Sequence, residues 1–293
     1  MIKFRHVVSA VLVTLLTLLL SSCKLAMLNP KGVVAHSEMQ LLVTAVLLML
    51  IVVIPVIILT FVIIFKYRAS NKKAKYTPNK AHNTLLEVIC WSIPGIIIII
   101  LAVLTWRGAH KLDPYRPLNK SKPLTIQVIS LNWRWLFIYP QQQVATINYV
   151  QIPIHKQIKF VITGDSPMNS LDMPQLAGQI YAMSGMMTKL HFSANTLGTY
   201  RGFAANYTGD GFANMVFHVH VTTQAQFNHW VNRVHHQSMP LTIAKYQQLR
   251  KPSMNREALY FSVPITDLFH RVVMSYMMPS KSKMSMEKSP TTL

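Results

Sequence analysis

Two histidines, His218 and His220, lie two residues apart in a run of strand-forming residues, with Met215 just upstream. Alternate residues of a strand share a face. Imidazole with thioether is a donor set that suits a mononuclear copper ion, whereas polar residues alternating along an outer strand are simply solvated. Glu87 heads the uncharged run 88–106. A carboxylate there caps a helix against its dipole, and an acid at the edge of a membrane is also a candidate for function. Trp133 and Trp135 are two apart in the strand-like run 133–139, so the spacing puts both on one face as packing aromatics. The only thiols are Cys23 and Cys90. No disulfide framework or cysteine metal site can therefore form beyond residue 90. Cys90 sits in an apolar run and reads as an inert packed thiol. Met277, Met278, Met284 and Met286 are a weak Cu(I) donor set or a low-complexity tail.

The elements that would carry these groups divide the chain in two. Of 293 residues, 51% are hydrophobic and 13% charged, and the apolar residues crowd into three N-terminal runs. Residues 1–22 have a basic start (Lys3, Arg5, His6) and an apolar stretch, as in a secretory signal. Leu20-Ser21-Ser22-Cys23 resembles a bacterial lipobox, whose cysteine is acylated and becomes the mature N-terminus. Residues 23–38 follow as a periplasmic N-terminal segment, and 39–66 and 87–107 as two transmembrane helices. Their uncharged cores, 41–65 and 88–106, would extend roughly 37 Å and 28 Å as helices, enough to cross a bilayer. Lys66, Arg68, Lys72, Lys73, Lys75 and Lys80 fall at or within the intervening loop, 67–86, which carries no acid. The positive-inside rule places it in the cytoplasm, and a lipidated Cys23 puts everything after Trp106 in the periplasm.

Beyond a proline-spaced linker at 108–123 the chain becomes water-soluble in character. Short runs with strand character at 125–130, 133–139, 156–163, 189–193, 200–205 and 215–222 predict an all-β sandwich over 124–222. Residues 225–236 and 241–250 read as helices in a C-terminal extension, 223–278, with Phe227, Trp230 and Val234 at helical spacing. Residues 279–293 have the composition of a disordered tail. The net charge of +20 comes from 29 basic and nine acidic residues. It lacks the clustered, aromatic-interleaved cations of a nucleic-acid face; an anionic membrane surface is the simpler partner.

Several strings then resemble subunit II of the bo-type ubiquinol oxidases, within the haem–copper oxidase subunit II family. They are Lys66-Tyr67-Arg68-Ala69-Ser70-Asn71-Lys72, Leu101-Ala102-Val103-Leu104-Thr105-Trp106, Asn132-Trp133-Arg134-Trp135-Leu136-Phe137-Ile138-Tyr139-Pro140 and Gln179-Ile180-Tyr181-Ala182-Met183-Ser184-Gly185-Met186, extended through 200–215. The resemblance implies a two-helix membrane hairpin followed by a cupredoxin-like sandwich with a short helical extension. In the cytochrome c oxidase branch that sandwich holds a dinuclear copper centre on a motif similar to Gly-x-Cys-x-x-x-Cys-x-x-x-His-x-x-Met, with a histidine upstream. Gly202 and Met215 keep the outer spacing of the motif here, but the cysteine positions are Ala204 and Thr208, the histidine position is Phe212, and the upstream histidine position aligns with Asn169.

Two thiolates bridge such a pair of soft ions, and no other side chain substitutes well for them. The expectation is a subunit with no metal or other cofactor of its own and no catalytic residue. Haems and copper would lie in the large subunit of a proton-translocating quinol oxidase that reduces oxygen to water. The implied partners are subunits I, III and IV, membrane lipids, and quinol through the complex, but not cytochrome c. From Asp113 onward, 17 basic residues face seven acidic ones, a balance that repels a basic cytochrome. The resemblance also puts Glu87 at the mouth of a proton pathway. The rival reading, from His218, His220 and Met215, is a copper-binding or copper-delivery lipoprotein.

Overall fold

The computed structural model describes residues 26–73, 82–262 and 264–277. Cys23, the signal-like residues 1–22, Lys75, Lys80, Met278, Met284, Met286 and the tail 279–293 fall outside them. The described chain forms two compact units, residues 36–116 and a β-rich remainder that includes the segment up to Ala35.

The first unit is built from two long helices, α1 (Val33–Lys66) and α2 (Thr84–Lys111). Asn83 starts α2 by accepting the Leu86 amide through its side chain at 3.3 Å. Their apolar residues point outward: Leu47, Ile58, Ile63, Ile98 and Ile99 are each more than half exposed. Water would not tolerate that much bare aliphatic surface, whereas lipid requires it, so these helices anchor the chain in a membrane. Pro55 and Pro94 lie inside α1 and α2, a placement membrane helices accommodate. Where Gly108 faces Leu41, an added Cβ would sit 2.9 Å from the leucine side chain, so the absent side chain is what lets the helices approach.

The second unit is a sandwich. Its strands are β1 (Leu124–Leu131), β2 (Arg134–Tyr139), β3 (Val144–Ile147), β4 (Tyr149–Pro153), β5 (Ile158–Gly164), β6 (Asn169–Met173), β7 (Ala177–Ala182), β8 (Thr188–Phe192), β9 (Gly198–Ala204), β10 (Val216–Thr222) and β11 (Leu259–Ser262). One sheet has the order β11-β3-β2-β1-β5-β8, the other β4-β10-β9-β6-β7. The pairs β1/β5 and β4/β10 are parallel and the remaining ladders antiparallel. The chain changes sheet at Asn148, a single residue at φ 55° between β3 and β4. Its amide donates to the Trp135 carbonyl and its side-chain oxygen accepts the Trp135 amide, both at 2.9 Å. Between the sheets lies an aromatic core: Phe217 packs on Trp135 and Phe137, and Phe160 on Phe137 and Phe192, at centroid distances of 4.9–6.0 Å.

The outer face of the first sheet is buried as well. After α3 (Gln224–Gln237), opened by a Thr223/Gln226 capping box, come α4 (Ile243–Arg250), β11 and α5 (Leu268–Met277). Tyr246, Leu249, Phe261, Leu268, Phe269, Val272 and Val273 pack on Ile129, Leu131, Leu136 and Ile138. Beside this layer Asp165, its side chain 3% exposed, ion-pairs with Arg250 (Nε–Oδ2 2.7 Å). It also accepts hydrogen bonds from the hydroxyls of Tyr246 and Tyr276. Burial, and then the Asp165 charge, push the Tyr246 phenol well above its ordinary range. At the other end of the fold, residues 31–35 dock on the sandwich: the Lys31 and Gly32 amides donate to the Gln175 carbonyl at 2.7 and 3.0 Å, and the Asn195 amide to the Lys31 carbonyl at 2.8 Å. A Cβ on Gly32 would overlap the Leu176 backbone.

Replacing Asp165 with Asn removes the charge that gathers Arg250 and the two tyrosines, and should cost about 1–3 kcal/mol. Hydrogen exchange on the full chain in detergent should show α4 and α5 losing protection while β9 and β10 keep theirs. Unchanged exchange in the extension would refute the clamp.

Candidate functional site

The residues that the resemblance aligns with copper-ligand positions converge at one end of the second sheet. β6 runs beside β9 with Leu171 opposite Ala204. The Ala205 amide donates to the Ser170 carbonyl at 2.9 Å, and the Ala204 amide to the Met215 carbonyl at 3.0 Å. Asn169 opens β6, Ala204 closes β9, and Met215 immediately precedes β10, so the three strand ends are stitched together. Gly202 lies opposite Phe217 in the β9/β10 ladder, and a Cβ there would overlap the Phe217 ring. The glycine thus serves the aromatic core. Thr208 and Phe212 lie in the loop between β9 and β10, where Phe212 begins a one-turn 3₁₀ helix, Phe212–Asn214, and packs edge-on against Tyr207 at 5.6 Å.

The chemistry of this cluster is not that of a copper pair. Asn169 is buried and its amide nitrogen donates to Ser130 Oγ at 2.8 Å, to Ser166 Oγ at 3.2 Å and to the Pro167 carbonyl at 3.1 Å. The Asn169 carbonyl oxygen and the Thr208 hydroxyl are buried without a partner among the described residues. Met215 is wholly buried and offers the one soft donor. An amide oxygen, a hydroxyl, a methyl and a phenyl beside one thioether do not fit a centre that needs two bridging thiolates.

Trp133 closes the site, and here the structure departs from the strand reading. Trp133 is not on β2 and does not share a face with Trp135. It occupies the second position of the two-residue turn between β1 and β2, at φ 62°, a conformation that costs a bulky residue of order 1 kcal/mol or more. Its ring compensates by lying on the β9–β10 loop. The indole Nε1 donates to the Thr208 carbonyl at 3.1 Å, and a Cβ on Gly211 would overlap the six-membered ring. Trp135, by contrast, is fully buried in the core. The turn's conformation carries no propensity signal in the sequence; the two glycines Gly209 and Gly211 around the loop were the available hint. The C-terminal extension braces the same loop, with Arg256 donating to the Asn214 side chain and, at 3.3 Å, to the Ala213 carbonyl.

His218 and His220 do share the outer face of β10, but Met215 is buried and does not join them. His220 is occupied otherwise: its Nδ1 pairs with Thr199 Oγ1 at 2.9 Å and its ring stacks on Tyr149 at 4.7 Å. Burial, then the neighbouring His218, lower its pKa from the ordinary histidine value. Among the described residues no three His, Cys, Asp or Glu side chains gather in a metal-holding group. Cys90 lies exposed on α2 rather than packed. Glu87, in the first turn of α2, is about half exposed and approaches His82 Nδ1 at 3.4 Å. Met277 is exposed at the end of α5.

Residues 235–280 match the family model described as the COX aromatic rich motif, which spans α4, β11, α5 and the Asp165 partners. Over 260 residues the chain is 48% identical to cytochrome bo(3) ubiquinol oxidase subunit 2 of Pseudomonas aeruginosa, covering 88% of this chain and 78% of that protein. Over 275 residues it is 43% identical to ubiquinol oxidase subunit 2 of Acetobacter aceti, covering 93% and 88% respectively. Among solved structures, the periplasmic domain of subunit II of cytochrome oxidase of Bradyrhizobium japonicum aligns with 38% of this chain and 94% of its own length, at 22% identity and a TM-score of 0.37.

The Trp133–Gly211 contact sets a test. Gly211→Ala should destabilise the full chain by about 1–3 kcal/mol, as overpacking does. Against a Trp133→Ala background the same change should cost at least about 1 kcal/mol less, because the overlapping ring is gone. Additive losses in urea unfolding would disprove the contact.

Identity of this extent over nearly the whole chain leaves one assignment: the chain belongs to the ubiquinol oxidase subunit 2 family.

Proposed function

We propose that this subunit scaffolds a proton-translocating quinol oxidase without carrying electrons itself. Quinol is oxidised and oxygen reduced to water in the large subunit I, which holds the haems and copper, with subunits III and IV completing the complex. This chain carries no copper or other cofactor. The observation that carries the reading is the donor set at the family's ligand positions: Asn169, Ala204, Thr208 and Phe212, with Met215 alone able to bind a soft metal. The excess of cations from Asp113 onward supports it, since that charge repels a basic cytochrome c.

The chain sits in a bacterial inner membrane as a lipoprotein acylated, with palmitate among its acyl groups, on Cys23 after removal of residues 1–22. The 67–86 loop is cytoplasmic and the sandwich periplasmic; the lipobox and the cationic loop support that orientation. Glu87, at the cytoplasmic end of α2, hands protons toward the large subunit. Its carboxylate, about half exposed in the first turn of α2, is placed for that.

The complex purified in mild detergent should contain haem and consume oxygen with ubiquinol, and should leave reduced cytochrome c unoxidised. Rapid oxidation of cytochrome c would overturn the proposal. Glu87→Ala should lower turnover and proton release together; unchanged turnover and pumping would remove Glu87 from the pathway.

A further inference from the structure

Where β1 begins, a cleft of about 350 Å³ opens between the sandwich and the first turns of α3. Lys122 and Lys156 stand at its rim, and Gln142, Gln224 and Asn228 line it together with the buried Phe227 ring. No carboxylate lines the cleft. The segments that build it are also free of Asp and Glu, because none occurs between Asp113 and Asp165 or between Asp210 and Glu257. Among the described residues, the segments that line the cleft therefore offer the two ammonium groups no acidic counter-ion.

A second observation points to a ligand with hydroxyl groups. The side-chain carbonyl oxygen of Gln142 is buried and has no partner among the described residues. An acceptor withdrawn from water and left unpaired is costly, and Gln142 lines the cleft, so turning its amide toward a donor held there would relieve that cost. The first turns of α3, a helix of 14 residues, line the cleft, and the positive end of a helix favours an anion. Amide side chains, which both donate and accept, complete a lining suited to a polyol phosphate.

We propose that this cleft binds the phosphate and hydroxyls of an anionic glycerophospholipid headgroup. Lys122 and Lys156 hold the phosphate as point charges, and Gln142 Oε1 accepts a glycerol hydroxyl. The cleft is larger than a bare phosphate needs. Lys122 follows the last residue of α2, Lys111, by only eleven residues, so the covalent chain tethers the site to a membrane anchor. The inference rests on the membrane placement proposed above for the source of its ligand, not for the site. It gives the strongly basic sandwich a specific anionic partner.

The test uses the full-length chain in a non-ionic detergent. Glycerol 3-phosphate should bind at one saturable site by calorimetry, and native mass spectra should show phosphatidylglycerol retained in preference to phosphatidylcholine. Lys122→Gln with Lys156→Gln should weaken both by at least about tenfold, the loss of two charge-assisted contacts. Lys159→Gln with Lys189→Gln removes equal charge from β5 and β8, outside the cleft, and should leave both unchanged. Gln142→Met should abolish the preference for glycerol 3-phosphate over inorganic phosphate. Equal losses in the two lysine pairs would overturn the site in favour of diffuse charge. Inorganic phosphate binding as tightly as glycerol 3-phosphate, with no phosphatidylglycerol retained, would overturn the headgroup in favour of a free anion. Quinol-driven oxygen uptake by complexes carrying these variants should not change. A failure of the oxidase reading would appear there and not in lipid retention.

Discussion

Everything in the β-rich unit depends on burying both faces of one strand. β2, Arg134–Tyr139, is buried at every position after its first. Trp135, Phe137 and Tyr139 face the second sheet, while Leu136 and Ile138 face outward. A two-layer sandwich would leave that outer pair in water. The C-terminal extension supplies the third layer, and the Asp165 ion pair with its two tyrosine hydroxyls ties the layer to β5. The aromatic-rich family motif is, in physical terms, the lid of this sheet.

The strand ends that the resemblance aligns with a copper site are held by contacts of their own. Asn169 ties β6 to Ser130 of β1, Phe212 packs on Tyr207, and Trp133 lies across the β9–β10 loop with its indole on the Thr208 carbonyl. Arg256 then joins the loop to the extension. The loop that would cradle ions is thus fixed by contacts from three separate parts of the chain.

The sequence made some of this readable and hid the rest for identifiable reasons. The helices α1 and α2 were legible because long uncharged runs have few other solutions. β1, β5, β8, β9 and β10 followed from short runs of strand-forming residues between turns. β3 and β4 were missed because a single residue, Asn148, carries the chain from one sheet to the other, where a turn of several residues would be expected. β6 is polar in sequence (Asn169-Ser170-Leu171-Asp172-Met173) yet mostly buried, so hydropathy could not find it. Of the candidate site, the departures from the family's copper motif were visible as motif spacing. The Trp133 cap was not, since a tryptophan with positive φ is set by tertiary contact. The Asp165 clamp was also invisible: its partners lie 81, 85 and 111 residues away.

The central claim is that the sandwich works as a metal-free brace. Electron paramagnetic resonance of the purified, oxidised chain after incubation with copper tests it most directly. The account predicts at most adventitious, chelator-removable Cu(II) and no signal of a delocalised copper pair. A stoichiometric mixed-valence dinuclear signal that survives chelation would contradict it.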